Sequence, residues 1–179
     1  MKKLAVIAFS TVFVAALMLG VAFQVDAQAT RHEVSSFEYD CTTDWGTDWM
    51  EGNAWHIRGI VHENINISAN PEMNGINTTV ADADFNLANG TASIRGTMSF
   101  KPDTIDGAWE GHWTFIANKG VYFGRAVAQG TGALKGQTLF LDLYDGVDPG
   151  DADAVCATVG GVPHGFTEAR GYILVTGSH

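Results

Sequence analysis

Three histidines, two arginines and a glutamate lie on stretches whose spacing would align them for acid–base work. From Ala54 to His62, alternation of period two sets His56, Arg58, Ile60 and His62 against Trp55, Ile57, Gly59 and Val61. From Ser93 to Phe100, Arg95 lies opposite Ile94, Gly96, Met98 and Phe100. From Ala108 to Ile116, Glu110 and His112 lie opposite Trp109, Gly111, Trp113 and Phe115. Turned into a pocket, the polar faces would form a proton-transfer cluster; turned to water, they are ordinary positions on a half-buried sheet. One apolar face per strand fills a small barrel, so we read the polar set as outward. His56 and His62 would stand about 20 Å apart along one strand, too far to share a metal.

Arg125 runs in phase with Val121, Phe123 and Val127, while the other face holds Tyr122, Gly124, Ala126 and Ala128. It is either a lumen arginine paired to a carboxylate or the sign of a bulge that switches the phase; equally, if the small residues face inward, it is an outer one. We carry Arg125 with Trp55, Ile57, Met98, Trp109, Trp113 and Phe115 as the candidate ligand-binding set. Asp142 to Asp153 reads D-L-Y-D-G-V-D-P-G-D-A-D, a supply of the oxygen ligands that suit Ca²⁺. Its spacing does not match the EF-hand loop and no Glu closes it, so we read a solvated acidic loop and assign no metal and no cofactor. The duplication T-D-W-G-T-D-W, Thr43 to Trp49, presents Trp45 and Trp49 either for stacking on a sugar or, the reading we prefer, for packing over a barrel end. Asn66, Asn77 and Asn89 open glycosylation triplets, but beside a bacterial-looking Met-Lys-Lys start they read as strand and turn residues.

The elements that must position these side chains are strands. Between Ser36 and Thr176 no apolar run has helical spacing. Further strands are predicted near Ser36–Thr42, Ile76–Leu87, Val121–Thr131, Thr138–Tyr144 and Gly171–Thr176, making about eight in all. Asn70-Pro71, Asn74-Gly75, Asn89-Gly90 and Asp106-Gly107 punctuate them as turns. Gly59, Gly96 and Gly111 sit on apolar faces among bulky neighbours. Glycine weakens a strand unless a bend or close approach calls for it, and small closed barrels need both. The expected fold is all-β, a closed antiparallel barrel, with an open sandwich as the alternative.

From Gly107 onward the chain reads G-x-W-x-G-x-W through Gly107, Trp109, Gly111 and Trp113, then Tyr122-Phe123-Gly124, then Gly130 to Gly136, then Gly171 to Leu174. This pattern resembles the secreted bacterial relatives of the allene oxide cyclase and dirigent barrels, over the C-terminal half of the mature chain. The resemblance implies an eight-stranded barrel with an apolar cavity, in a protein that is sometimes a homo-oligomer. It also implies a possible cyclase or a steering role in phenolic coupling, although neither set of catalytic residues can be placed here.

Lys2, Lys3, an apolar run from Leu4 to Phe23 and small residues through Ala27 and Ala29 make a secretory leader. We place the signal peptide at residues 1–29 and a single domain at 30–179, exported to the periplasm or medium. The alternative is an uncleaved membrane anchor. The formal charge of −10, with no basic cluster, opposes binding to nucleic acid or to anionic lipid. Cys41 and Cys156, the two cysteines of the chain, read as a disulfide in an oxidising compartment. Three functions are expected in descending order. The first is a binding barrel for a small apolar ligand. The second is a cyclase or isomerase for an oxidised lipid or phenolic compound, implied by the resemblance. The third is a structural or surface-interaction protein. Whether the chain is an enzyme stays open.

Overall fold

The computed structural model describes residues 29–176, so the leader expected at residues 1–29 lies almost wholly outside the described residues. Nine strands follow one another: β1 (Thr30–Asp44), β2 (Thr47–Glu51), β3 (Ala54–Ile67), β4 (Gly75–Asn86), β5 (Thr91–Pro102), β6 (Trp109–Asn118), β7 (Val121–Gly130), β8 (Gln137–Asp145) and β9 (Val162–Val175). One short helix, α1 (Ala152–Ala157), precedes β9. Each strand from β3 to β9 pairs antiparallel with the next, β9 pairs with β1, and β1 returns to β3. The chain therefore closes an antiparallel barrel, and closure removes the sheet edges. β2 stands outside the ring as an extension paired to the start of β3.

The expected barrel is present, and one strand corrects its expected faces. Arg58 pairs with Asp82 and Ile60 with Ala81, leaving Gly59 as an extra residue with φ +74°. A glycine accepts this left-handed conformation without the steric cost that other residues bear, and the resulting bulge shifts the alternation by one residue. Trp55 and Ile57 point inward before it; Ile60, His62 and Asn64 point inward after it. His62 thus leaves the face it was expected to share with His56 and Arg58, and Gly59 is a phase switch rather than a space-maker.

The two ends differ. At one end the 3₁₀ turns Pro71–Met73 and Gly132–Leu134 fold under the barrel, and Met73, Leu134, Phe100, Trp109, Leu139 and Ile173 pack into a floor. Trp109 is fully buried there, its indole N–H donating to the Glu72 carbonyl at 3.4 Å. At the other end the β4–β5 and β6–β7 turns are tight, and the β8–β9 connection carries α1 as a strap over the outside of β1. Tyr39, Cys41, Ala152 and Cys156 are buried under it, with Phe37, Ile65 and Phe166 packed alongside. The Cys41–Cys156 disulfide pins the strap, with Cα atoms 5.2 Å apart, and the Tyr39 hydroxyl donates to Asp151 at 2.9 Å. Among the described residues no helix is long and apolar enough to cross a membrane.

Candidate functional site

Floor and walls enclose a cavity of about 430 Å³ that opens between the turns at the upper end. That volume lies within the usual range for small-molecule sites, roughly 300–1,000 Å³. Its walls are unlike each other. β5 to β8 contribute Ile94, Met98, Trp113, Phe115, Ala126, Leu141 and Leu143. Two of these rings lie flat against the wall because glycine stands directly opposite them in the next strand: Trp113 faces Gly96, and Phe115 faces Gly124. A Cβ on Gly96 would meet the Trp113 indole nitrogen at 2.8 Å, and one on Gly124 would meet the Phe115 ring at 2.6 Å. The glycine punctuation of these strands therefore makes room for aromatic rings.

The other wall is polar. β1 turns Ser36, Glu38, Asp40 and Thr42 inward because its apolar side, Phe37, Tyr39 and Cys41, is claimed by the strap outside. β3 adds His62 and Asn64, β4 adds Asn77 and Thr79, and β9 adds Thr167. Glu38 accepts from the side-chain amides of Asn64 at 2.6 Å and Asn77 at 3.2 Å. Asp40 accepts from the Thr167 hydroxyl at 3.0 Å, and the Thr42 hydroxyl is 3.1 Å from His62 Nδ1. At the mouth the His164 ring lies 6.1 Å from that of His62, and Trp45 meets His164 edge-on at 4.8 Å.

Burial sets the proton affinities on this wall. Burial, then the Glu38 charge, hold Asp40 well above the usual carboxylate range, against a counter-pull from Thr167. Burial also raises Glu38, opposed by its two asparagine donors. His62 is pushed down to about 4, first by burial and then by His164. Partial enclosure at the rim lowers His164 too. Carboxyl groups that hold their protons more tightly than usual and imidazoles that hold theirs less tightly consequently share one surface, a set able to give and take protons.

Among the described residues, three buried side-chain polar atoms have no hydrogen-bond partner: Asn77 Oδ1, Thr79 Oγ1 and Trp113 Nε1. All three residues line this cavity. Buried polar groups are nearly always paired, so these three atoms leave hydrogen-bonding capacity unused around one cavity.

Of the residues singled out from sequence, Trp55, Ile57, Met98, Trp113 and Phe115 line the cavity. Trp109 belongs to the floor. Arg125 does not face the lumen: its side chain is 73 % exposed and pairs outside with Asp142 at 3.1 Å, because the small face of β7 is the inner one. His56 and Arg58 lie outside, both bound to Asp84 at 2.6 Å, and Trp49 stacks on His56 at 5.1 Å. The two bonds hold Asp84 below the usual carboxylate range. Glu110 is exposed, accepting from Ser99 at 2.7 Å, and Arg95 and His112 share its outward phase. Trp45 and Trp49 part company, one at the mouth and one outside. The aspartates of the 142–153 segment scatter, and among the described residues no three His, Cys, Asp or Glu side chains converge as a metal site requires.

Sequence reasoning missed Glu38, Asp40, Asn64, Asn77, Thr79, Thr167 and His164. One signal could have found the first two. Cys41 pairs with a distant loop that must run outside the barrel, so the strand face alternating with Cys41 has to point inward.

Compared with known protein families, curated proteins and solved structures, the chain matches none. The closed barrel is compatible with the architecture that the resemblance implied.

Proposed function

We propose that this is an exported barrel protein that binds a small, largely apolar molecule in its lumen, with one polar end of that molecule against the β1–β3–β4 wall. The observation that carries this reading is the set of three unpartnered polar atoms in a cavity whose opposite wall is aromatic and aliphatic. Export is supported by the leader pattern and by the disulfide, which persists in oxidising compartments. Titration with the uncharged probe N-phenyl-1-naphthylamine tests the reading. Saturable fluorescence enhancement, lost on filling the lumen with Ala126→Trp in a variant that still melts cooperatively, is expected. No enhancement, or enhancement unchanged in that variant, overturns it.

A second reading, a cyclase or isomerase, is favoured by the carboxyl groups of Glu38 and Asp40, which line the lumen together with His62. Compounds extracted from the protein purified out of the secreted fraction separate the two. A binder returns its added ligand unchanged, whereas an enzyme returns an isomer of it, and Asp40→Asn abolishes the conversion.

A further inference from the structure

The polar wall has a definite charge preference. Among the described residues no Lys or Arg lines the cavity, whereas Glu38, Asp40 and Asp145 do. Glu38 and Asp40 occupy successive inward positions of β1, about 7 Å apart along the strand. Both are held by neutral donors alone, Asn64 and Asn77 for one and Thr167 for the other. The nearby orphan Asn77 Oδ1 is an acceptor that calls for a donor. Thr79 is 2 % exposed, and its hydroxyl adds a second unpartnered oxygen on the same strand.

A carboxylate-headed amphiphile would meet two like charges and no cation here, and like charges at such a site disfavour each other. An alcohol could satisfy Asn77 but would leave the carboxyl groups without a counter-charge. A protonated amine brings several N–H donors and a positive charge to the same point, and the aromatic rings around the lumen suit a cation as well.

We propose that the lumen selects amphiphiles whose polar end is a protonated amine, seated between Glu38 and Asp40 with its apolar body against Trp113 and Phe115. This rests on the lumenal-binding reading above and names the ligand class. Trp113 Nε1, a donor without an acceptor, further favours an amine that carries an oxygen along its body. An ammonium pairs with the ionised form of these carboxyl groups, whose proton affinity burial raises, so binding strengthens as pH rises. The other titratable groups facing the site are His62 on β3, Tyr122 on β7, Asp145 on β8 and His164 on β9. Protonation of either histidine at low pH repels the ligand and acts in the same direction.

Calorimetry of the exported protein with octylamine, octan-1-ol and octanoate tests this. Octylamine is expected to bind about tenfold or more tighter than the other two at pH 7.5, with the margin shrinking at pH 5. Glu38→Gln together with Asp40→Asn should remove the margin while N-phenyl-1-naphthylamine binding persists. Equal or tighter binding of octanoate or octan-1-ol, or a margin that survives the double substitution, overturns the amine assignment and leaves lumenal binding standing. Failure of the naphthylamine probe and of all three octyl compounds overturns both.

Discussion

The two halves of the barrel wall obey the same period-two rule and arrive at opposite results. On β5, β6 and β8 the more apolar face turns inward, with Glu110 of β6 meeting water outside, and on β7 the small face of Gly124, Ala126 and Ala128 is the inner one, which leaves Arg125 outside. On β1 the apolar face turns outward, and in its place Glu38 is buried and Asp40 half-buried against the lumen. The difference lies outside the barrel. β1 carries the strap, so Phe37, Tyr39 and Cys41 find an apolar partner there, whereas among the described residues the outer surfaces of β6 and β7 have no such cover. Alternation reports that a strand has two kinds of face; which face is the lumen's depends on what else the chain packs against it.

The largest effect should come from removing the pin. The Cys41–Cys156 bridge closes 115 residues of sequence, and chain entropy assigns such a closure about 4–5 kcal/mol, less any native strain. Cys41→Ala with Cys156→Ala should lower the urea midpoint accordingly and expose the strap residues to proteolysis. An unchanged midpoint would mean that the strap holds the polar wall in place without its disulfide.

Next comes the pH response of the polar wall. His62 is depressed to about 4 in the fold, so its contribution is complete above its ordinary value and is lost as pH falls from there through about 4. That loss is about 3 kcal/mol, and His62→Gln should abolish it in urea denaturation followed from pH 7 to pH 4. Asp40 runs the other way. Raised in the fold, it contributes fully at low pH and loses that contribution as pH climbs through its elevated value. Asp40→Asn should therefore gain stability relative to the parent as pH rises toward 8, and a parallel pair of curves would contradict the burial of its carboxyl group.

The apolar wall should respond to shape instead. Gly124→Val drives a Cβ into the Phe115 ring, an overpacking that costs about 1–3 kcal/mol. Gly111→Val presses on the Ala128 backbone and should fall in the same range. Neither should alter the pH slope, and thermal melts across pH test both points together.

The smallest effect is reserved for the outer surface. Glu110→Gln keeps a partner for Ser99 and should leave the urea midpoint and probe binding nearly unchanged. If it abolished probe binding at unchanged stability, the outer polar face would be the functional one.

Much of this protein was written locally. Most strand positions, though not β2 or the first half of β9, together with the glycine turns, the disulfide partners and the aromatic inner face of β5 and β6, follow from neighbours two residues apart or from the presence of a single cysteine pair, and such patterns survive translation into structure because the backbone alternates. The polar wall could not be read in the same way. Gly59 shifts the phase of β3 by one residue, and nothing in Ala54–His62 distinguishes a bulge from a regular glycine until β4 is laid beside it. Glu38 and Asp40 are lumenal only because α1, more than a hundred residues later, covers the opposite face of their strand. Arg125 is outside because the small residues of β7 leave room for Phe115 of β6. Each of these choices is a contact between segments distant in sequence or paired only in the sheet, and burial, which decides between a strand's two faces, exists only once those segments have met.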